Sequence, residues 1–168
     1  FPKGKNQVAL DIGGGSTEII TAERAVSLDL GAVILTERFV RHDPPTNEEV
    51  QKMVDVIKAT LRGCPTTGRP WGREDPAPTF IGLAGSVTTL SAIKQKLTVW
   101  DGAKVQGSLL TLNDIDRMIA LFRKTTNKER RTITGMVAGR EDTILSGTLI
   151  LKGVMEKMGV FRVIVSDR

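Results

Sequence analysis

A mixed α/β domain, a sheet covered by helices, is the fold this sequence predicts. Three observations carry that expectation. Three short segments rich in β-branched residues follow one another at the start with tight connections, as in an antiparallel meander. Segments with apolar residues at helical spacing, several opened by capping signals, fill most of the remainder. Two further strand-like runs, at residues 79–83 and 160–165, alternate with those helices.

The meander is read at residues 7–12, 16–21 and 26–30. Gly31-Ala32 then opens a helix carrying Val33, Ile34, Leu35, Phe39 and Val40, which the stretch from His42 to Pro45 breaks. Thr46 and Glu49 form a capping-box pattern. Beyond it Val50, Met53, Val54, Ile57 and Leu61 recur at helical spacing up to Gly63, and that stripe reads as core. Residues 63–78 hold four prolines and three glycines. They read as a long loop whose Trp71 either meets a ligand or belongs to a surface excursion, the commoner case. A strand at 79–83 turns directly into a helix bearing Leu90, Ile93 and Leu97. A polar connection covers 100–107, and Thr111 with Asp114 caps the next helix. The basic residues Lys124, Lys128, Arg130 and Arg131 read as a solvated face. After Gly139-Arg140-Glu141-Asp142 a long helix runs to Gly159, with Asp142 a candidate cap. Its internal Gly147 and Gly153, each costing about 1 kcal/mol against alanine, are expected to allow close packing on the sheet.

The chain has 168 residues, 40% of them hydrophobic and 26% charged, which suits one globular domain. No apolar run of eighteen residues occurs, so no membrane span is expected. No signal peptide opens the chain. Phe1 in place of Met leads us to expect a fragment of a longer protein. Cys64 is the only cysteine, placed in a loop, so an internal disulfide is excluded and a cytoplasmic setting is expected. His42, the only histidine, reads as a surface residue, which argues against histidine-based triads and metal sites. The net charge of +5 permits nucleic-acid binding, but the basic residues are scattered. With no tyrosine, five Phe and two Trp, a stacking platform for single strands is not expected.

Chemistry concentrates in Asp11-Ile12-Gly13-Gly14-Gly15-Ser16-Thr17-Glu18, between the first two strands. A plain hairpin needs one glycine at its turn. Three in succession suggest close approach of a ligand to the backbone, whose successive N–H groups form a concave anion site. Ser16 and Thr17 add hydroxyls. Asp11 and Glu18 would repel a bare phosphate, so a cation between acids and phosphates is the economical reading, and Mg²⁺ (or Mn²⁺) is bound in this way. The plain alternative is a glycine-rich hairpin with solvated acids. A P-loop is excluded because no lysine follows, and a dinucleotide fingerprint because Glu18 stands where its third glycine belongs and a strand follows. A second anion-friendly turn is Ala84-Gly85-Ser86-Val87-Thr88, a glycine turn at a helix N-terminus. Its plain alternative is Ser86 as an N-cap and nothing more.

These motifs, with Ser27 to Ala32, Gly139-Arg140-Glu141-Asp142 and Val165-Ser166-Asp167, resemble one half of the actin-like ATPase superfamily, which has a ribonuclease H-like fold. The resemblance is closer to the Ppx/GppA phosphatases, exopolyphosphatase and guanosine pentaphosphate phosphohydrolase, and it spans essentially the whole chain. It implies that residues 1–168 are the second of two domains facing a cleft, the first domain carrying another phosphate loop and the catalytic base. The second motif departs from the usual Gly-Gly-Thr, reading Ala84-Gly85-Ser86. The implied activity is hydrolysis of a terminal phosphoanhydride in inorganic polyphosphate or pppGpp. Gly13, Gly14, Gly15, Ser16 and Thr17 would cradle phosphate, and Asp11 and Glu18 would hold the metal and position water. Gly85, Ser86, Thr88 and Arg140 would bind further phosphates. An actin-like ATPase or sugar kinase, and a non-catalytic nucleotide or polyphosphate sensor, remain as alternatives. Pairing with a second copy of the chain is left open.

Overall fold

The computed structural model describes residues 7–21, 24–64 and 79–167. The elements are β1 (Gln7–Ile12), β2 (Thr17–Ile20), β3 (Ala25–Leu28), α1 (Ala32–Phe39), α2 (Asn47–Arg62), β4 (Thr79–Leu83) and α3 (Ala84–Lys94). There follow α4 (Gly102–Val105), β5 (Leu109–Thr111), α5 (Leu112–Phe122), α6 (Asn127–Arg130), α7 (Ile144–Met158) and β6 (Arg162–Val165). The strands form one sheet in the order β3-β2-β1-β4-β6-β5. β1, β4 and β6 are parallel neighbours, while β2, β3 and β5 add antiparallel pairings at the two sides. The expected mixed sheet with its three-strand meander is therefore present.

β1 is central and its side chains are buried almost continuously, as Val8, Ala9, Leu10 and Ile12, because helices and strands cover it on all sides. α3 lies against β1, β4 and β6, and α7 crosses α3 while contacting α1, α2 and α5. Eight consecutive residues of α7, from Ile144 through Leu151, are buried, the mark of a helix enclosed all round. Gly147 and Gly153 serve that enclosure, but toward helices and not the sheet as expected. A Cβ on Gly147 would collide with Ser86 of α3, and one on Gly153 would lie 2.5 Å from Ile57 Cγ2 of α2. No helix of the described residues is long and apolar enough to cross a membrane.

Three elements escaped the sequence reading. β5 is only three residues long, yet Leu110 is fully buried and the strand pairs with β6. The single turns α4 and α6 are each opened by a side-chain cap, Asp101 and Thr126. The basic run is not uniformly solvated, because Arg130 is 1% exposed. Its guanidinium donates to the Asn127 side chain and to the carbonyls of Glu141 and Phe122, tying α6 to the segment before α7. Cys64 is buried behind the last turn of α2. Trp71 and residues 65–78 lie outside the described residues.

The capping box of α2 forms as its sequence implies: Thr46 Oγ1 accepts from Glu49 N at 3.2 Å and Glu49 Oε2 accepts from Thr46 N at 2.9 Å. Glu49 Oε1 also accepts from Arg41 N at 2.8 Å and lies 2.9 Å from His42 Nδ1. Burial raises this carboxyl, but the bonds from His42, Thr46 and Arg41 outweigh it and hold the group at about 2. A depressed carboxyl stabilises the fold above its unfolded value, near 4.5, and that contribution disappears as pH falls toward 2. Glu49→Gln is expected to cost about 1–2 kcal/mol at pH 7. Urea titrations should show the gap to wild type closing between pH 4.5 and 2.

Candidate functional site

The carboxyl ends of the parallel strands β1, β4 and β6 lie at one edge of the sheet, the edge where open α/β sheets place ligands. Asp11 is level with Leu83 of β4, and Gly82 with Val165 of β6, so the turn after β4 and the Ser166-Asp167 segment leave from that edge. On its other side Asp11 is directly opposite Glu18 of β2. Opposed residues on antiparallel strands project to the same side, so two carboxylates stand together, an unfavourable pairing by itself. Burial, and then the charge of Glu18, raise the Asp11 carboxyl above its ordinary value. Glu18 is held in place: its Oε1 accepts from Ser16 Oγ at 2.6 Å and from Ser27 Oγ at 2.8 Å. Ser27 of β3 lies opposite Glu18 in the ladder. The sequence reading includes it only as the start of the Ser27 to Ala32 motif, since its contact with Glu18 depends on the strand register.

The triple-glycine turn is shaped by α1. Gly13 O accepts from Ala32 N at 3.0 Å, and Gly14 O accepts from Val33 N at 3.0 Å and Ile34 N at 3.2 Å. A helix N-terminus normally leaves such amides for an anion or a cap. Here the turn's own carbonyls occupy them. α1 has no side-chain cap, and its N-cap, Gly31, packs so closely that a Cβ would collide with Gly14 O. With the carbonyls turned into the helix, no acceptor among the described residues takes the N–H of Gly14 or Gly15, and both residues are exposed. A Cβ on Gly15 would meet nothing within 4 Å and its φ is not left-handed, so no contact among the described residues requires glycine there.

The turn after β4 departs from relaxed geometry. Ala84 has φ +69°, a left-handed value that a side chain disfavours. Such strain concentrates at functional sites. Ala84→Gly is expected to stabilise the domain by about 0.5–1 kcal/mol, the relieved strain exceeding the extra freedom of the unfolded glycine. A rise in the urea midpoint at unchanged slope would register it.

Gly85 is covered by the guanidinium of Arg140, which leaves no room for a Cβ there. Arg140 reaches this position from a turn fixed at Gly139, whose φ is +81° and whose N–H donates to Glu141 Oε2 at 2.8 Å. Glu141 in turn accepts from Arg131 Nε at 2.6 Å. Among the described residues the Arg140 guanidinium has neither ion pair nor hydrogen-bond partner. It lies against the first turn of α3, at the positive end of that helix, where a lone cation is disfavoured and an intervening anion would satisfy both. The sequence-assigned residues Asp11, Glu18 and Gly13 to Ser16 are thus grouped along β1 and β2, and Gly85 and Arg140 meet at the adjacent β4 turn.

Three assigned hydroxyls point elsewhere. Thr17 is fully buried and donates to Leu30 O at 2.5 Å. Ser86 is neither cap nor surface: the N-cap of α3 is Leu83, and Ser86 is 1% exposed beneath Gly147. Thr88, 6% exposed, points back along its own helix, 3.3 Å from the carbonyl oxygens of Ala84 and Gly85. Backbone amides, more than these hydroxyls, are what the two turns present. Asp142 caps nothing either, α7 beginning after Thr143 without a side-chain cap.

No group of three or more His, Cys, Asp or Glu side chains among the described residues is arranged to hold a metal. The Asp11–Glu18 pair fits the other mode, in which Mg²⁺ takes one or two carboxylates and completes its shell with waters and phosphate oxygens.

Three parallel strands flanked by an antiparallel β2–β3 meander define an α/β domain of the ribonuclease H-like, actin-like ATPase class. The chain belongs to the Ppx/GppA phosphatase family, whose family model matches residues 1–168. It is 34% identical over 171 residues to exopolyphosphatase 2 of Mycobacterium tuberculosis H37Rv, covering 95% of this chain and 51% of that protein. It is likewise 34% identical over 173 residues to the bifunctional 3-dehydroquinate synthase/phosphatase of Fusobacterium nucleatum, covering 96% of this chain and 24% of that protein. The crystal structure of the Aquifex aeolicus Ppx/GppA phosphatase, type II variant, superposes with a TM-score of 0.86 at 31% identity. That match covers 99% of this chain and 54% of the Aquifex chain. The chain spans about half the length of the exopolyphosphatase 2 it matches.

Proposed function

We propose that this chain supplies the phosphate- and cation-binding half of a hydrolase acting on terminal phosphoanhydride bonds, in inorganic polyphosphate or in pppGpp. Family membership and similarity to exopolyphosphatase 2 support the reaction class. The observation that carries the site is the opposed Asp11–Glu18 pair beside two unengaged glycine amides and an unpaired arginine. Phosphoryl transfer makes little covalent demand on a protein; it asks for positioning and for charge to meet the developing charge on phosphoryl oxygens.

Gly14 and Gly15 would donate their N–H groups to the phosphate under attack. Asp11 and Glu18 would hold Mg²⁺ or Mn²⁺, which when bound supplies positive charge against the phosphoryl oxygens. Glu18, fixed by Ser16 and Ser27, would also orient the attacking water. Arg140 would neutralise the next phosphate along, over the start of α3. The base that takes the water's proton is assigned outside these residues, on a facing domain, so the chain alone should release little phosphate.

Calorimetric titration with short polyphosphate, pppGpp and ATP, each with and without Mg²⁺, tests the reading. Binding of polyphosphate or pppGpp that requires Mg²⁺ is expected. Arg140→Ala should weaken it by about tenfold or more while leaving the melting temperature unchanged. Preference for ATP would favour the actin-like ATPase reading, and rapid phosphate release by the isolated chain would move the base into these residues.

A further inference from the structure

On the helical side of the domain, α2 and α5 leave a cleft of about 510 Å³ with α7 as its floor. Its walls include Val50, Ile57, Leu61, Ile119 and Leu149, each less than 9% exposed, together with the half-buried Val54. Each of these apolar side chains therefore shows only a small part of its surface, beneath a rim of polar and charged residues. Along α2 it runs from Val50 to Leu61, about 16 Å at the rise of a helix. The volume falls within the range of small-molecule sites, roughly 300–1,000 Å³. None of these residues belongs to the phosphate site described above.

The rim is cationic and uneven. Lys152 is engaged by Asp116 at 2.6 Å and Glu156 at 3.6 Å, and Arg123 donates to Asn47 Oδ1 at 2.7 Å. Lys58, Arg62 and Lys157 also line the cleft, and among the described residues none of them has an ion-pair partner. They share one end. α2 and α7 run parallel, with Ser146 bonded to Met53 and Gly153 packed on Ile57, which brings Lys157 level with the last turn of α2 where Arg62 stands. Three unpaired cations at one mouth of an apolar slot repel one another, and an anion placed among them would satisfy all three.

We infer that this cleft binds a single-chain amphiphilic anion, an alkyl or acyl chain ending in a phosphate or carboxylate, with the tail along Val54 and Ile57 and the headgroup among Lys58, Arg62 and Lys157. A helical peptide is the poorer occupant. It is about 10–12 Å across with its side chains, against about 510 Å³ of space in the cleft. The inference is independent of the proposed hydrolase function.

The test uses the whole chain with dodecyl phosphate and dodecanoate below their micellar concentrations, and dodecyltrimethylammonium as the cationic control. Both anions should bind and raise the melting temperature, since a ligand of the native state stabilises it. Removing two methylenes should weaken binding roughly tenfold. The double reversal Lys58→Glu/Arg62→Glu, on exposed side chains that leave the core intact, should weaken the anions by about tenfold or more. Pyrophosphate with Mg²⁺ should not displace them. A lowered melting temperature, equal binding of the cation, or indifference to the double reversal would overturn the inference. So would binding of an acidic amphipathic peptide by a chain that ignores both alkyl anions. Weaker dodecanoate than dodecyl phosphate binding would identify the phosphate headgroup as the preferred form.

Discussion

Asp11→Asn and Glu18→Gln should each abolish most Mg²⁺-dependent phosphate binding, by about 100-fold or more, while making the metal-free domain more stable. The two effects have one origin. Like charges directly opposed on neighbouring strands destabilise a sheet, and neutralising either one removes that repulsion. The sign with pH follows from the raised Asp11 carboxyl. A raised acid stabilises the fold below its unfolded value, 3.8, and that contribution is lost as pH climbs through its folded value. At neutral pH the two facing acids are a liability that a bound cation would relieve. Metal-free wild type should therefore melt below Glu18→Gln at pH 7, and Mg²⁺ with pyrophosphate should reverse the order. Calorimetry with and without metal reads both quantities. Equal metal-induced stabilisation of wild type and Glu18→Gln would detach the carboxylate pair from cation binding.

Gly31→Ala should be the most damaging single-methyl change near the site. A Cβ there would collide with the carbonyl oxygen of Gly14, so either α1 retreats or the turn moves. Neither yields easily. α1 is held by three hydrogen bonds from Ala32, Val33 and Ile34 to the turn, and by contact between Thr36 and Ser146 of α7 at 2.7 Å. A loss of about 2–3 kcal/mol is expected, together with loss of pyrophosphate binding. Gly15→Ala, one turn residue away, provides the contrast: nothing lies within 4 Å of its added methyl, so stability should hold. Binding should fall all the same, because the methyl would stand where a phosphate approaches. Urea titration and calorimetry on the two variants separate the glycine that the fold requires from the one that the ligand requires.

The difference between those glycines marks how far the sequence could be read. Strands and long helices were legible because their residues alternate or recur every three to four positions, and capping boxes at Thr46 and Thr111 announced where α2 and α5 begin. The acid–glycine–hydroxyl–acid run stood out as a candidate site because its residue types alone set it apart. Side-chain direction was not. Thr17 and Ser86 belong to the right motifs, yet their hydroxyls serve the interior, a matter decided by strand register and by where α7 crosses α3. Arg130 was read as solvated because a basic run usually is; three acceptors from separate segments bury it, and no local pattern foretells them. β5 was too short to show alternation and is defined by its neighbour β6. The role of Ser27 beside Glu18 became visible only with the β2–β3 ladder.

The bonding of α1 to the glycine turn has a mechanical outcome. Because the turn and the helix share their hydrogen bonds, and the helix is moored to α7, the exposed glycine amides move with the body of the domain and not as a separate flap. On the proposed function, a substrate arriving at this face would meet donors already aimed.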